Sequence, residues 1–305
     1  MGALEYINCP LCDSQKNTKL FLGKDYLYSK EEFSVVKCHD CGLQYTNPCV
    51  KEDQIASYYY SGYSSRMNSK LPNFYKGEWG RLQRFFGNIH FTILELMRSI
   101  NARKVLEIGP GNGRLLYFLK AQGYDVSGVE LDSDLARNIW DMGIPCYCGN
   151  LDTVMDEIGG KKFDLIILCQ TFEHLYDPKK TLKNIHSLLA EKGYLYMALP
   201  NSGSIEAKLF DKFWRGLDLP RHIVHYDKKT VGKILRKSGF DVLRQGDLIF
   251  PSSFVESIGF RYFQDAKMPP TLYYFLYYFL KLTGPVCRKL FGSGVMTVLA
   301  AKRQL

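Results

Sequence analysis

The segment VLEIGPGNG at 105 to 113 carries glycines at positions 109, 111 and 113, and the next apolar run ends in Glu130. A strand closing in such a turn lets backbone N–H groups approach a ligand that a Cβ would exclude. An acidic residue after the following strand can accept from both hydroxyls of a ribose. Together they predict a nucleoside site at the carboxyl edge of an open parallel sheet. A dinucleotide fingerprint, GxGxxG, needs its third glycine one place later to seat a pyrophosphate on a helix N-terminus. Residue 114 is Arg. The GxGxG turn suits S-adenosylmethionine instead, whose methionine tail carries a carboxylate and an ammonium but no phosphate.

Two further groups could do chemistry. Gln170, Glu173 and His174 follow an apolar run in CQTFEHL, at the sheet edge where ligands bind in open α/β folds. His174 can act as a general base or can hold its loop by hydrogen bonding. In WRGLDLPRHIVHY, His222 and His225 stand three apart between Arg221 and Tyr226. With His174 they are the candidate catalytic residues. Three imidazoles from two loops invite a metal reading, but structural and acceptor-orienting roles are commoner for His, so no open metal site is expected.

Nearer the N-terminus, Cys9 and Cys12 in CPLC and Cys38 and Cys41 in CHDC form two C-x2-C knuckles around the strand-forming FSVVK. Four thiolates at this spacing can hold zinc tetrahedrally, and the four filled positions make the ion structural. His39, inside a knuckle, is expected in solvent, Cys49 as a buried or bystander thiol, and Cys146, Cys148 and Cys169 in the core.

The elements that must position these groups are legible as a rhythm. KVLEIGP, YDVSGVEL, CYCGN, FDLIILC and GYLYMALP read as strands, and segments near 113 to 122, 133 to 142, 178 to 190 and 228 to 238 as helices, preceded by a helical pattern at 85 to 101 through Phe85, Ile89, Ile93, Leu96 and Ile100. GFDVLRQGDLI and SGVMTVLAAKR supply a sixth and a closing seventh strand. The expected fold class is α/β: a doubly wound, seven-stranded, Rossmann-like sheet with its last strand antiparallel, preceded by a small zinc ribbon. The domains divide as 1 to 50 for the ribbon, 51 to 100 for a Tyr-rich cover and helical linker, and 101 to 305 for the main domain, with an aromatic and basic insertion at about 252 to 292.

Composition sets the remaining bounds. The 305 residues can bury a large core, no secretory signal is expected, and nine cysteines in such a chain suit a reducing cytoplasm. The formal charge of +9 is concentrated: residues 256 to 305 hold seven Lys or Arg against Glu256 and Asp265. The insertion contains LYYFLYYFLKLTGPVCRKLF, whose apolar run from Leu272 to Leu280 is about half of the roughly 20 residues a bilayer crossing needs. Flanked by Lys281, Arg288 and Lys289, it suits peripheral membrane contact through 270 to 291, at the inner face of a membrane. A cover over a greasy acceptor, a dimer contact or a core helix accounts for the same residues, and oligomeric state stays open.

On the glycine turn and the ordered segments around it, the chain resembles the class I S-adenosylmethionine-dependent methyltransferases over roughly 84 to 250 and the final strand. VLEIGPGNG is similar to the family's first motif, GVELD to its ribose-binding turn, CGNLDTV to its adenine-side loop and FDLIILCQTFEHLYDP to its fourth strand. The resemblance implies a cofactor site of Glu107, Gly109, Gly111, Gly113, Glu130, Asn150, Leu151 and Gln170, with Glu107 on the amino group and Asn150 where the family usually has Asp; Asp152 could substitute. It also implies that the segment at 51 to 83 folds over the methionine end, with Tyr58, Tyr59 and Tyr60 as candidates. A linker packing the ribbon on the domain is the other reading of that segment.

A four-cysteine ribbon with EHL and PRHIVHY is similar to methyltransferases of saccharide and natural-product pathways. The resemblance does not extend to the large C-terminal domain of the sugar C-methyltransferases, and the expected reaction is O-methylation of a saccharide, lipid-linked or other small-molecule acceptor. Two alternatives stay open. A ribosomal RNA methyltransferase could dock through the ribbon, but residues 1 to 53 carry no basic excess and phosphate tracking needs one, so nucleic acid is an unlikely partner. A zinc-ribbon adaptor with a degenerate cofactor fold would not need intact glycines and Glu130.

Overall fold

The computed structural model describes residues 2–59, 89–263 and 268–304. The N-terminal ribbon comprises β1 (Leu4–Glu5), β2 (Asn17–Lys24), β3 (Glu32–Cys38), β4 (Gln44–Thr46) and β5 (Cys49–Val50), followed by a 3-10 turn at Glu52–Tyr58. The main domain then alternates α1 (Ile89–Ser99), β6 (Lys104–Ile108), α2 (Arg114–Lys120), β7 (Asp125–Glu130), α3 (Ser133–Asp141), β8 (Cys146–Cys148), α4 (Met155–Ile158), β9 (Phe163–Cys169), α5 (Pro178–Leu188) and β10 (Leu189–Pro200). After these come α6 (Ile205–Phe210), β11 (Val224–His225), α7 (Lys228–Lys237), β12 (Phe240–Leu248), α8 (Pro251–Tyr262), α9 (Pro270–Phe291) and β13 (Val295–Lys302).

Seven strands form one sheet in the order β12-β13-β10-β9-β6-β7-β8, in which β13 runs antiparallel to both neighbours. β9 is buried along nearly its whole length because helices cover both faces, which is why FDLIILC reads as a continuous apolar run. The helices start where their sequences allow. Asp132 accepts from the Asp134 and Leu135 amides ahead of α3, and Asp227 and Thr230 close a capping box on α7. In α1 the buried face is Phe91, Ile93, Leu94 and Met97, whereas Ile89, Leu96 and Ile100 are half-buried. Phe85 lies outside the described residues.

The ribbon is not a free-standing module. β11 of the main domain adds to it as an edge strand, giving the order β11-β4-β3-β2, with Val224 opposite Tyr45. Cys9, Leu11, Val36 and Tyr45 share one buried cluster with Phe172, Leu182, Tyr226 and Val231. Cys49 is buried, as expected, but Cys148 is exposed at the end of the edge strand β8.

The described residues of the insertion form two helices, α8 and α9. Gly284 presses α9 against Ile249, since a Cβ there would come within 3.0 Å of that side chain. The opposite face leaves Leu272, Phe275, Phe279, Leu282 and Val286 exposed at spacings of three and four.

Candidate active site

The three glycines of the β6–α2 turn all have positive φ, at 70°, 56° and 70°, a region that other residues enter only with strain. Two of them are required by packing as well. A Cβ on Gly109 would stand 2.6 Å from Thr171 Oγ1, and one on Gly113 2.7 Å from Ile139 Cγ1. The turn is therefore pressed between β7's helix and the loop that follows β9.

Glu130 closes the other side. Its Oε2 accepts from the Gly111 amide at 2.9 Å and its Oε1 from the Asp132 amide at 3.0 Å, so the carboxylate lies against the turn. Each carboxylate oxygen can accept a second hydrogen bond, which leaves lone pairs for a diol. Beneath it, Glu107 is buried, with Oε2 unpartnered among the described residues. Burial, and then the neighbouring Glu130, push its carboxyl up to about 8. A buried carboxyl without a donor is costly, and an incoming ammonium would relieve it.

The remaining residues expected at the cofactor divide. Asn150 is exposed, and its side-chain oxygen accepts from the Thr153 amide at 3.0 Å, which shapes the loop. Leu151 packs into the core cluster with Val154. Asp152 faces away, paired with Lys180 at 2.9 Å and accepting from Asn184, so it does not stand in for Asn150. Gln170 has φ 55°, and its backbone N–H donates to Ala198 at 2.7 Å, which turns the chain at the end of β9. Thr171, which sequence reasoning missed, donates to the Ile108 carbonyl at 3.2 Å and so ties this loop to the glycine turn.

Beyond Thr171 the two histidine loops meet. The Ile223 amide donates to the Glu173 carbonyl at 2.9 Å, and the His174 and His222 rings stand edge to face with centroids 4.6 Å apart. His174 Nδ1 lies 2.9 Å from the Arg221 carbonyl and His222 Nδ1 2.9 Å from that of Gly216. Burial holds both imidazoles below their ordinary pKa, and it pushes the Glu173 carboxyl up to about 8. His225 is not part of this group. An odd offset along extended chain turns it to the other face, where its Nε2 lies 3.1 Å from Thr46 Oγ1 of the ribbon. Burial holds its ring at about 4, and it serves the ribbon contact.

Arg221 was named in the sequence only as a neighbour, yet it organises the corner. It is buried and reaches Asp218 at 2.8 Å and Asp25 of the ribbon at 3.0 Å. Of the tyrosines expected over the site, Tyr58 is buried and donates to Glu31 at 2.8 Å, packing the ribbon. Tyr59 places its hydroxyl 3.4 Å from His174 Nδ1. Tyr60 lies outside the described residues, as does most of the segment expected to cover the cofactor.

In the ribbon, the four cysteines are free thiols gathered in one cluster, with Cys9 and Cys41 sulfurs 3.4 Å apart and those of Cys12 and Cys38 3.5 Å apart. Tetrahedral zinc with Zn–S bonds of about 2.3 Å separates its sulfurs by roughly 3.8 Å, so the donor set fits that ion. Burial raises the Cys38 thiol, but the Cys41 and Asp40 amides outweigh it and bring it to about 7.

Sheet order, glycine turn and acidic partner together define a class I, Rossmann-like methyltransferase domain for S-adenosylmethionine. The chain belongs to the methyltransferase domain family, whose model matches residues 79–245. It is 25% identical over 119 residues to the ubiquinone biosynthesis O-methyltransferase of Coxiella burnetii, a match covering 37% of this chain and 50% of that protein. The chain thus spans about half the length of the curated relatives it matches. Among solved structures, magnesium protoporphyrin IX methyltransferase from Synechocystis, with bound S-adenosylhomocysteine, shares the fold at a TM-score of 0.51 and 12% identity, covering 83% of this chain and 100% of that one. A putative methyltransferase in complex with the Haloferax volcanii Trm112 activator aligns at 0.50 and 14% identity, over 81% and 100% of the two chains.

Proposed function

We propose that the protein transfers a methyl group from S-adenosylmethionine to an oxygen of a saccharide, lipid-linked or other small-molecule acceptor. The observation that carries the cofactor assignment is Glu130 bonded to the Gly111 amide across the turn, with the buried Glu107 carboxyl beneath, whose Oε2 has no partner among the described residues. When bound, the cofactor supplies an electrophilic methyl on a sulfonium. Glu107 would hold its ammonium, Glu130 its ribose diol and the edge of the Asn150 loop its adenine. Such a displacement is in line, so the protein's main task is alignment, with a proton to be removed from a hydroxyl acceptor. The neutral His174 and His222 rings face that task at the end of the loop tied to the glycine turn. Oxygen as the accepting atom is supported by the O-methyltransferase relative.

Calorimetry with S-adenosylhomocysteine tests the cofactor assignment. Binding by the wild type and a loss of about 1–3 kcal/mol in Glu130→Ala are expected, the scale of hydrogen bonds to a charged group. A wild type that gives no heat would remove the assignment.

We further infer that Cys9, Cys12, Cys38 and Cys41 hold a structural zinc ion, and that α9 rests on a membrane surface. No helix among the described residues is long and apolar enough to cross a membrane. The exposed stripe of α9 is instead suited to the interfacial layer: the helix carries no acidic residue, and Tyr274 and Tyr278 flank the apolar row. The protein is expected to sediment with vesicles containing anionic lipid and to lose that property on Phe275→Glu with Phe279→Glu. Indifference of the wild type to such vesicles would end this reading.

A further inference from the structure

The group at the meeting of the two histidine loops holds more hydrogen-bond acceptors than donors. Glu173 is 1% exposed, and among the described residues neither of its carboxylate oxygens has a hydrogen-bond partner. A carbonyl can only accept, so the Nδ1 atoms of His174 and His222, facing Arg221 and Gly216 carbonyls, carry the protons, and each Nε2 is a lone pair. His222 Nε2 lies 3.9 Å from Glu173 Oε1 and 3.7 Å from Asp218 Oδ2. Asp218 meets Arg215 and Arg221 through its other oxygen, so those guanidinium groups are already engaged. One ligand atom from each of Glu173, His174 and His222 lies within 4.8 Å of the others.

We propose that Glu173, His174 and His222 bind a single divalent cation beside the methyl-transfer site. The observation that points to a ligand, independent of the clustering, is the buried carboxylate with neither oxygen partnered among the described residues. Burying such a group costs several kcal/mol unless something donates to it. One proton on Glu173 would neutralise the carboxylate without giving its oxygens a partner among the described residues, whereas one cation would engage all three side chains. The histidine tautomers fit as well, because metal-bound imidazoles commonly hold their second nitrogen against a backbone carbonyl. Two imidazoles and one carboxylate suit zinc, manganese or ferrous ion better than calcium, and three protein ligands leave coordination positions open.

The site deepens the proposed function and supplies what that reading leaves to the imidazoles. An acceptor hydroxyl on the cation loses its proton to solvent more readily. Its electron pair forms the new C–O bond, and the C–S pair stays on sulfur as the neutral thioether. His174 and His222 then serve as ligands, and no protein base is needed. From the sequence no open metal site is expected, because structural and acceptor-orienting roles are commoner for His; the structure takes His225 out of the histidine group and puts Glu173 in it.

Manganese is the probe, because thiolates are poor ligands for it and the cysteine cluster stays out of the count. The full-length protein, isolated with its cysteine site filled, is titrated with Mn2+ and followed by electron paramagnetic resonance. One ion per chain is expected, with electron spin echo modulation from two imidazole nitrogens. Glu173→Gln and His222→Asn should each weaken binding at least 10-fold, and His186→Gln, on α5, should leave it unchanged. No bound Mn2+ in the wild type, bound Mn2+ without nitrogen coupling, or binding indifferent to both substitutions would each overturn the site. S-adenosylhomocysteine calorimetry on the same variants reports whether they fold, and if they do not, the wild-type nitrogen couplings decide alone. Mn2+ bound in a wild type that ignores S-adenosylhomocysteine would sink the methyl-transfer reading and keep the metal site.

Discussion

Exchange of Cys9 and Cys38 together for serine should unfold the ribbon and remove one tightly held zinc per chain. Zinc bound by four thiolates contributes roughly 10–16 kcal/mol in small peptides, which exceeds the whole stability of many domains. Within the ribbon itself the elements are short: β1 and β5 have two residues each, and the ladder of β2 and β3 connects the two knuckles. The consequence should spread, because the ribbon shares its buried cluster with Phe172 and Tyr226, next to Glu173 and His225. Metal analysis and amide exchange of the double variant check this. A protein that retains both its zinc content and the protection of β3 would contradict the ribbon's dependence on metal.

Replacing Arg221 with alanine should lower the unfolding free energy by about 3–5 kcal/mol, the cost of leaving a buried charge unpaired. Arg221 is 3% exposed and Asp25 is 1% exposed, so solvent does little to screen the loss. The same change removes a restraint on the chain whose carbonyl faces His174 Nδ1. Burial raises the Asp25 carboxyl, but the hydrogen bond and charge of Arg221, with the Ser29 and Tyr28 amides, outweigh it and hold the group below the ordinary carboxylate range. Its contribution is therefore complete above the unfolded-state pKa and lost as pH falls through the folded one. The difference between wild type and variant in urea should be full at neutral pH and shrink in acid. A difference below about 1 kcal/mol at pH 7 would show that the pair contributes little, as exposed pairs do.

Much of the architecture could be read before any coordinates. The continuous apolar runs of β9 and β10, and the glycines closing β6, are responses to local demands: burial on two faces, and backbone at positive φ. Glu130 was legible for the same reason, since strand length and turn spacing fix where a residue emerges at the sheet edge. Reading failed where an amphipathic period was ambiguous. Of the stripe expected on α1, Ile93 is buried, but Ile89, Leu96 and Ile100 are half-buried, because the buried face also takes in Phe91, Leu94 and Met97. On the adenine-side loop, Asn150 accepts from the Thr153 amide and Asp152 pairs with Lys180, contacts that the local sequence does not indicate.

What the sequence alone determined were features set by spacings of a few residues: the glycine turn, the two cysteine knuckles, and the alternation of strand and helix. Short-range geometry constrains these whatever the rest of the chain does. Only the tertiary structure decided that Arg221 pairs with Asp25 across 196 positions, and that Glu173 joins His174 and His222 while His225 turns to the ribbon. Such partnerships depend on how loops fold back over a sheet, and a buried charge selects its partner by desolvation and distance, neither of which is written in local sequence.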